Sequence, residues 1–151
     1  MTMAPTDLRS IVGTAVESER QKMKPDVALE VDLGAREARA MVDPPQIQEV
    51  VGALLHYAVG STAGGTVRVR IEDRPNGVAI VVSDPAGEWS EEARAHLFEP
   101  YPATKGEGSE TGLSLVLSKH IVTGHGGTID VTSEPGVGSA FTVLLPRAEA
   151  E

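Results

Sequence analysis

Chemistry is concentrated in the stretch from Leu97 to Leu115, which reads LFEPYPATKGEGSETGLSL. An apolar turn and a proline-broken corner lead into a run of small, polar and glycine residues. These deliver the chain to Thr111-Gly112 at the mouth of an apolar helix. The free N–H groups of a helix's first turn and its positive dipole end attract anions, and a glycine there lets an anion approach the backbone closely. The pattern suits a lid, residues 99–110, over a phosphate site faced by Thr111 and Gly112, with Lys105 the only cation in the lid and free to close on the phosphate. The same residues also suit a long surface loop that ends in an ordinary helix start, with Lys105 simply solvated. The flanking sequence has to decide between the two.

A chain of 151 residues with 40% hydrophobic content is long enough for one well-buried core, so residues 1–151 are expected to form a single domain that closes in an acidic tail at 147–151. The net charge of −9, from 22 acids against 13 bases, repels polyanions, and no basic cluster with interleaved aromatics offsets it. Nucleic acid is thereby excluded as the expected partner. The absence of cysteine removes disulfides and thiolate metal sites together, and the histidines at 56, 96, 120 and 125 have no metal-ligand spacing. No apolar run approaches the length of a membrane span, and the first residues lack the layout of a signal peptide. The expectation is a cytoplasmic domain without membrane contact of its own, any anchor of a longer parent lying outside this chain.

The elements that must position the lid can be read in order. Thr6-Asp7 can cap a helix whose stripe is Leu8, Ile11, Val12, Ala15 and Val16, with charge taking over around Glu19 to Lys24. Val27, Leu29, Val31 and Leu33 alternate as a half-buried strand, Gly34 turns the chain, and Ala38 to Val42 reads as its hairpin partner. Asp43-Pro44-Pro45 starts a helix, with an acid at the cap and prolines where first-turn N–H groups need no partner. Ile47, Val50, Val51, Leu54, Leu55 and Ala58 form its buried stripe, while Glu49, Ala53, His56 and Tyr57 lie on a second face. Val67, Val69 and Ile71 alternate with charge, Asn76-Gly77 signals a tight hairpin, and Val78 to Val82 returns as a central strand ending at Ser83-Asp84. Ser90-Glu91-Glu92 can cap a short helix through Leu97. Beyond the lid, Leu113 to Val122 reads as a helix apolar over most of its circumference, ended by Gly124, Gly126 and Gly127; Thr128–Ser133 and Ser139–Leu145 follow as a last strand pair. The economical packing is an α/β two-layer sandwich: a mixed, mostly antiparallel sheet of about five or six strands with three main helices on one face.

Three stretches carry a resemblance. Leu97-Phe98-Glu99-Pro100-Tyr101, then Thr111-Gly112-Leu113-Ser114-Leu115, then His125-Gly126-Gly127-Thr128-Ile129 with Ser133 to Ser139 and Phe141, resemble the F box, the G2 box and the C-terminal hairpin of the catalytic ATP-binding domain of bacterial sensor histidine kinases. The resemblance covers nearly the whole chain. It implies the Bergerat fold shared with DNA gyrase, Hsp90 and MutL, in which ATP or ADP lies between a helix and a flexible lid. It further implies transfer of the γ-phosphoryl group to a histidine on a separate dimerisation domain, and a response regulator downstream. Asp84 would read the exocyclic amine of adenine, with Gly87 beside it and Ser139 supporting the carboxylate; Thr111, Gly112, Leu113, Ser114 and Lys105 would meet the phosphates.

The departures are as informative. The family's N box supplies two asparagines that look at the phosphates, the second of which holds Mg²⁺, and these positions resemble Ala53 and Tyr57 here. The basic residue one turn later is Gly60, the two glycines of the family's D-x-G-x-G box appear as Ala86 and Glu88 with Gly87 displaced, and the second G2 glycine is Ser114. Tyr57 and His56 either contact the nucleotide or fill the cleft, and Glu49 is the remaining candidate to recruit the metal through water. Two further readings stay open: a pseudokinase-like interaction module with Tyr57 plugging an empty cleft, and an anti-sigma-type serine kinase, which the Phe98 and His125 stretches disfavour.

Overall fold

The computed structural model describes residues 3–21, 27–33, 39–61, 65–84, 108–134 and 138–147. The chain runs β1 (Ala4–Asp7), α1 (Leu8–Arg20), β2 (Val27–Asp32), β3 (Arg39–Val42), α2 (Pro44–Ser61), β4 (Gly65–Arg74), β5 (Gly77–Asp84), α3 (Gly108–Gly124), β6 (Thr128–Glu134) and β7 (Gly138–Leu145). Five strands form one sheet in the order β2-β4-β5-β7-β6, and β1 pairs with β3 in a separate two-stranded sheet. The short helix expected at Ser90–Leu97, together with Trp89, Phe98 and Tyr101, lies outside the described residues.

β5 is the axis of the sheet. Val78 to Val82 are all buried, as their unbroken apolar run requires of a strand with neighbours on both edges. Val78, Ile80 and Val82 belong to the main core beneath the helices. Ala79 and Val81 face the other way, where the register sets them between Glu72 and Arg70 of β4 and Leu144 and Thr142 of β7. Long flanking side chains shield these two small apolar residues on the helix-free face. The hairpin from β4 closes through Pro75-Asn76, with Arg74 opposite Gly77.

The first strand pair differs from the expected hairpin. β2 lies parallel to β4, Leu29 opposite Val67 and Val31 opposite Val69, so that two alternating apolar rows share one face. Parallel strands need a crossover of a dozen residues or more, and α2 supplies it. β3 instead pairs antiparallel with β1, Ala4 opposite Val42. The sequence Ala4-Pro5-Thr6-Asp7 carries neither alternation nor β-branched enrichment that would mark β1 as a strand. The end of the chain secures this small sheet: the Met41 N–H donates to the Pro146 carbonyl at 3.4 Å, and Arg147 forms an isolated bridge with Ala40. The Arg147 guanidinium also donates to the carbonyls of Arg74 and Gly77, strapping β7's exit to the β4–β5 turn. Arg147, grouped by sequence with the acidic tail, therefore belongs to the folded body.

The helices form the second layer. Asp7 caps α1, its carboxylate accepting from the Arg9 N–H at 3.0 Å, and the stripe from Leu8 to Val16 is buried as expected. The burial extends one turn further, to Glu19, at 5% exposure. Asp43 opens α2, its carbonyl accepting from Gln46 and Ile47, and all six residues of the α2 stripe are fully buried. α2 is the middle helix, packed against α1 on one side and α3 on the other.

α3 departs from its reading twice. It begins at Gly108, three residues before Thr111. Nor is its described part, from Val116 onward, buried all round: Ser118 and Val122 are buried, while Leu117 is 46% exposed and His120 faces outward. A helix at the margin of a layer covers only one face, and apolar content alone does not say which. Its end is a tight turn in which Gly126 has φ 78° and the Gly127 N–H donates to the Val122 carbonyl at 3.0 Å.

Two measurements check this architecture. A Cβ at Gly127 would stand 2.2 Å from the Leu144 carbonyl oxygen, a backbone atom that cannot move aside. Gly127→Ala should therefore cost about 1–3 kcal/mol and lower the melting temperature by roughly 2–4 °C per kcal/mol. Glu72 accepts from Arg70 and Arg74, and these bonds hold its carboxyl below the ordinary 4.5. The folded state then binds fewer protons than the unfolded state, so the contribution is complete above 4.5 and is lost as pH falls through the lowered value. Glu72→Gln should flatten the acid limb of a stability-versus-pH profile and leave its slope near neutrality unchanged.

Candidate active site

The end of β5 places Asp84 opposite Ser139 of β7, and both side chains are 5% exposed. A buried carboxylate requires hydrogen-bond donors. Ser139 provides one, its hydroxyl donating to Asp84 Oδ2 at 3.4 Å. Two residues along β7, on the same face, Phe141 is fully buried. Its ring meets that of Tyr57 edge-on, with centroids 5.7 Å apart and an interplanar angle of 83°. Tyr57 thus reaches from the flank of α2 down to the strand ends. Burial, and secondarily the negative charge of Asp84, push its phenol up to about 12. Carboxylate, hydroxyl and neutral phenol share one corner where the sheet's central strands meet the underside of α2. The arrangement can accept a hydrogen bond from a ligand's amino group at Asp84 and present an aromatic wall beside it.

Adjacent helix positions diverge by about 100°, so His56 and Tyr57 serve different surroundings. His56 turns to α1, its Nδ1 3.3 Å from the Glu19 carboxylate. Glu49 lines a separate open groove of about 600 Å³ between α1 and the start of α2, with Ser18, Glu19, Gln48 and Gly52. The structure therefore brings together Asp84, Ser139 and Tyr57 of the sequence-derived set, and sets His56 and Glu49 on the α1 side of α2. Thr111, Gly112, Leu113 and Ser114 lie in the first turns of α3, but their side chains, like Gly87 and Lys105, lie outside the described residues. Among the described residues no group of three or more His, Cys, Asp or Glu side chains is placed to hold a metal ion.

One positioning residue, part of the His125-Gly126-Gly127 stretch, was not a candidate site residue in the sequence. His125 is 4% exposed. Its Nε2 accepts from the backbone N–H of Asp43 at 3.0 Å, which leaves the proton on Nδ1 to donate to the Ile121 carbonyl at 2.7 Å. It joins the end of α3 to the start of α2 and so fixes the two helices that flank the Tyr57 corner. Only its place in the helix-ending His125-Gly126-Gly127 run hints at burial, and its partner stands 82 residues earlier.

The fold is a two-layer sandwich whose central strand ends in a buried carboxylate beside the helical layer. The chain belongs to the family of histidine kinase-, DNA gyrase B- and HSP90-like ATPases, whose model matches residues 42–149. It is 32% identical over 148 residues to the C4-dicarboxylate transport sensor protein DctB of Rhizobium meliloti, covering 95% of this chain and 23% of that protein. It is 34% identical over 121 residues to the alginate biosynthesis sensor protein KinB of Pseudomonas aeruginosa, covering 80% of this chain and 20% of that one. The chain thus spans less than a quarter of the length of these curated relatives. Among solved structures, the nucleotide-free catalytic domain of histidine kinase ThkA superposes with a TM-score of 0.83 at 23% identity, covering 99% of this chain and 100% of that one. Full-length ShkA in complex with AMPPNP gives 0.86 at 22% identity, covering 99% of this chain and 32% of that one. The expected mixed sheet with three helices on one face is the fold these structures share. Among the described residues no helix is long and apolar enough to cross a membrane.

The shared corner can be tested by titrating the phenol. In a Tyr101→Phe domain Tyr57 is the remaining tyrosine, and its ultraviolet absorbance should report ionisation near 12 when folded and near 10 in denaturant. Because the folded value is the higher, the stabilisation is complete below 10 and is lost as pH rises through 12. Asp84→Asn should lower the folded midpoint; an unmoved midpoint would separate the two groups.

Proposed function

We propose that this chain is the catalytic ATP-binding domain of a two-component sensor histidine kinase, working in the cytoplasm. It binds ATP or ADP and presents the γ-phosphoryl group to a histidine on a dimerisation domain, from which a response regulator is served. The observation that carries the reading is the buried Asp84 carboxylate held by Ser139 at the end of the central strand. There it takes a hydrogen bond from the exocyclic amine of adenine, with Gly87 following. The first turn of α3, which begins at Gly108, supplies the unpaired backbone N–H groups that suit the phosphates, with Thr111, Gly112, Leu113 and Ser114 following it along the helix, and Lys105 suits the terminal phosphate. Catalysis in such a site is positioning and charge neutralisation rather than covalent chemistry by the protein.

The acceptor has to come from another domain: His56, His96, His120 and His125 are followed by Tyr, Leu, Ile and Gly, whereas the acceptor motif has an acid directly after its histidine. A structure of ThkA in complex with the response regulator TrrA, to which this chain is similar with a TM-score of 0.78 at 19% identity, is consistent with that division of labour. Magnesium normally accompanies ATP in this family, but the described residues do not fit it. Ala53 offers no oxygen, Tyr57 offers a neutral phenol, and Glu49 lines the groove on the other side of α2. One observation favours a second reading, an interaction module without nucleotide: the Tyr57 ring, packed on Phe141, fills the α2 side of the corner.

Calorimetric titration with ADP separates these. Wild-type domain should bind, and Asp84→Asn should weaken binding at least tenfold, about 1.4 kcal/mol, because the amide replaces a charged acceptor by a neutral one and keeps a single acceptor oxygen where the carboxylate has two. Equal affinity of the two proteins would remove Asp84 from the site. Absence of heat for wild type, with an unchanged melting temperature, would favour the interaction module.

A further inference from the structure

We infer that this domain holds its nucleotide without a magnesium ion bound to the protein, Tyr57 having closed the metal side of the cleft. The inference rests on the reading of Asp84 as the adenine acceptor. It starts from what a magnesium ion demands, which is near-octahedral oxygen ligation at about 2.0–2.1 Å, with carboxylate or carbonyl oxygens favoured. On α2, the position one turn before Tyr57 is Ala53, whose methyl group offers no oxygen, and the position that reaches the corner of Phe141 and Asp84 is the phenol of Tyr57. The Tyr57 ring is fixed by its edge-on contact with Phe141, and its half-buried position leaves its oxygen in a poorly solvated corner beside Asp84. A phenol ligates a cation well only as phenolate, and both burial and the Asp84 charge oppose that form.

Among the described residues, the acids nearest α2 lie elsewhere. Asp84 accepts from Ser139 and, on this reading, from adenine. Glu19 stands beside His56, and Glu49 shares the α1–α2 groove with it. Among the described residues there is no metal-binding group of His, Cys, Asp and Glu side chains. Affinity then resides at the adenosine end and in the helix terminus that meets the phosphates, neither of which consults a metal. Any magnesium in the site arrives as part of the nucleotide and leaves with it.

The test is calorimetric titration of the 151-residue chain with ADP in saturating MgCl₂ and in EDTA, at matched ionic strength. The expected result is a Kd that changes by less than about threefold between the two buffers. A tightening by magnesium of that size or more overturns the inference and leaves the adenine site standing, provided that Asp84→Asn still weakens binding. Failure to bind ADP in either buffer overturns the adenine reading and this inference with it. Tyr57→Asn, which places an amide oxygen on the same turn, should acquire a magnesium dependence of about tenfold or more. A folded Tyr57→Asn domain that binds ADP and remains indifferent to magnesium overturns the assignment to Tyr57. Should that variant not fold, the wild-type comparison decides alone.

Discussion

Five consecutive buried residues, Val78 to Val82, require partners on both edges and cover on both faces. Most of the molecule can be derived from that requirement. β4 and β7 supply the edges, the helical layer covers Val78, Ile80 and Val82, and the long side chains of the neighbouring strands shield Ala79 and Val81. The same burial gives Asp84 its character. A carboxylate that continues such a strand is withdrawn from water and needs a fixed donor, and Ser139 faces it because β7 is the neighbouring strand in register.

α2 is the second constraint. Its fully buried stripe ties it to the sheet, and its two flanks are then assigned by geometry, one to α1 and one to the Tyr57 corner. Residues next to each other in sequence part company there. His56 meets the Glu19 carboxylate of α1 and Glu49 lines a groove with Glu19, while Tyr57 joins Phe141 and Asp84. His125 holds the arrangement from the far end by linking the start of α2 to the end of α3.

The two halves of the cleft have different chemistry. The side formed by β5 and β7 presents a buried, hydrogen-bonded carboxylate suited to a base. The side formed by α2 presents a methyl group and a neutral ring where the resemblance calls for amide oxygens. Membership in the ATPase family fixes the fold and implies ATP binding.

Most of the strands and helices were legible in the sequence, because period-2 alternation in Val67 to Ile71 and the three- and four-residue steps in Leu8 to Val16 report which face is buried, whatever it is buried against. Asp84 as a strand end and Asp43 as a helix start were legible for the same local reason. Pairing was not. β2 reads equally well as half of a hairpin, and its parallel union with β4 depends on α2 spanning the gap, a fact of three-dimensional distance. β1 has no local signature and exists because β3 offers it an edge. The members of the site were named by sequence, but only the tertiary structure separated His56 and Glu49 from Tyr57 and made His125 a bridge. Composition and spacing determine which surfaces a segment must bury, whereas the partner that buries them is chosen by contacts between residues far apart in the chain.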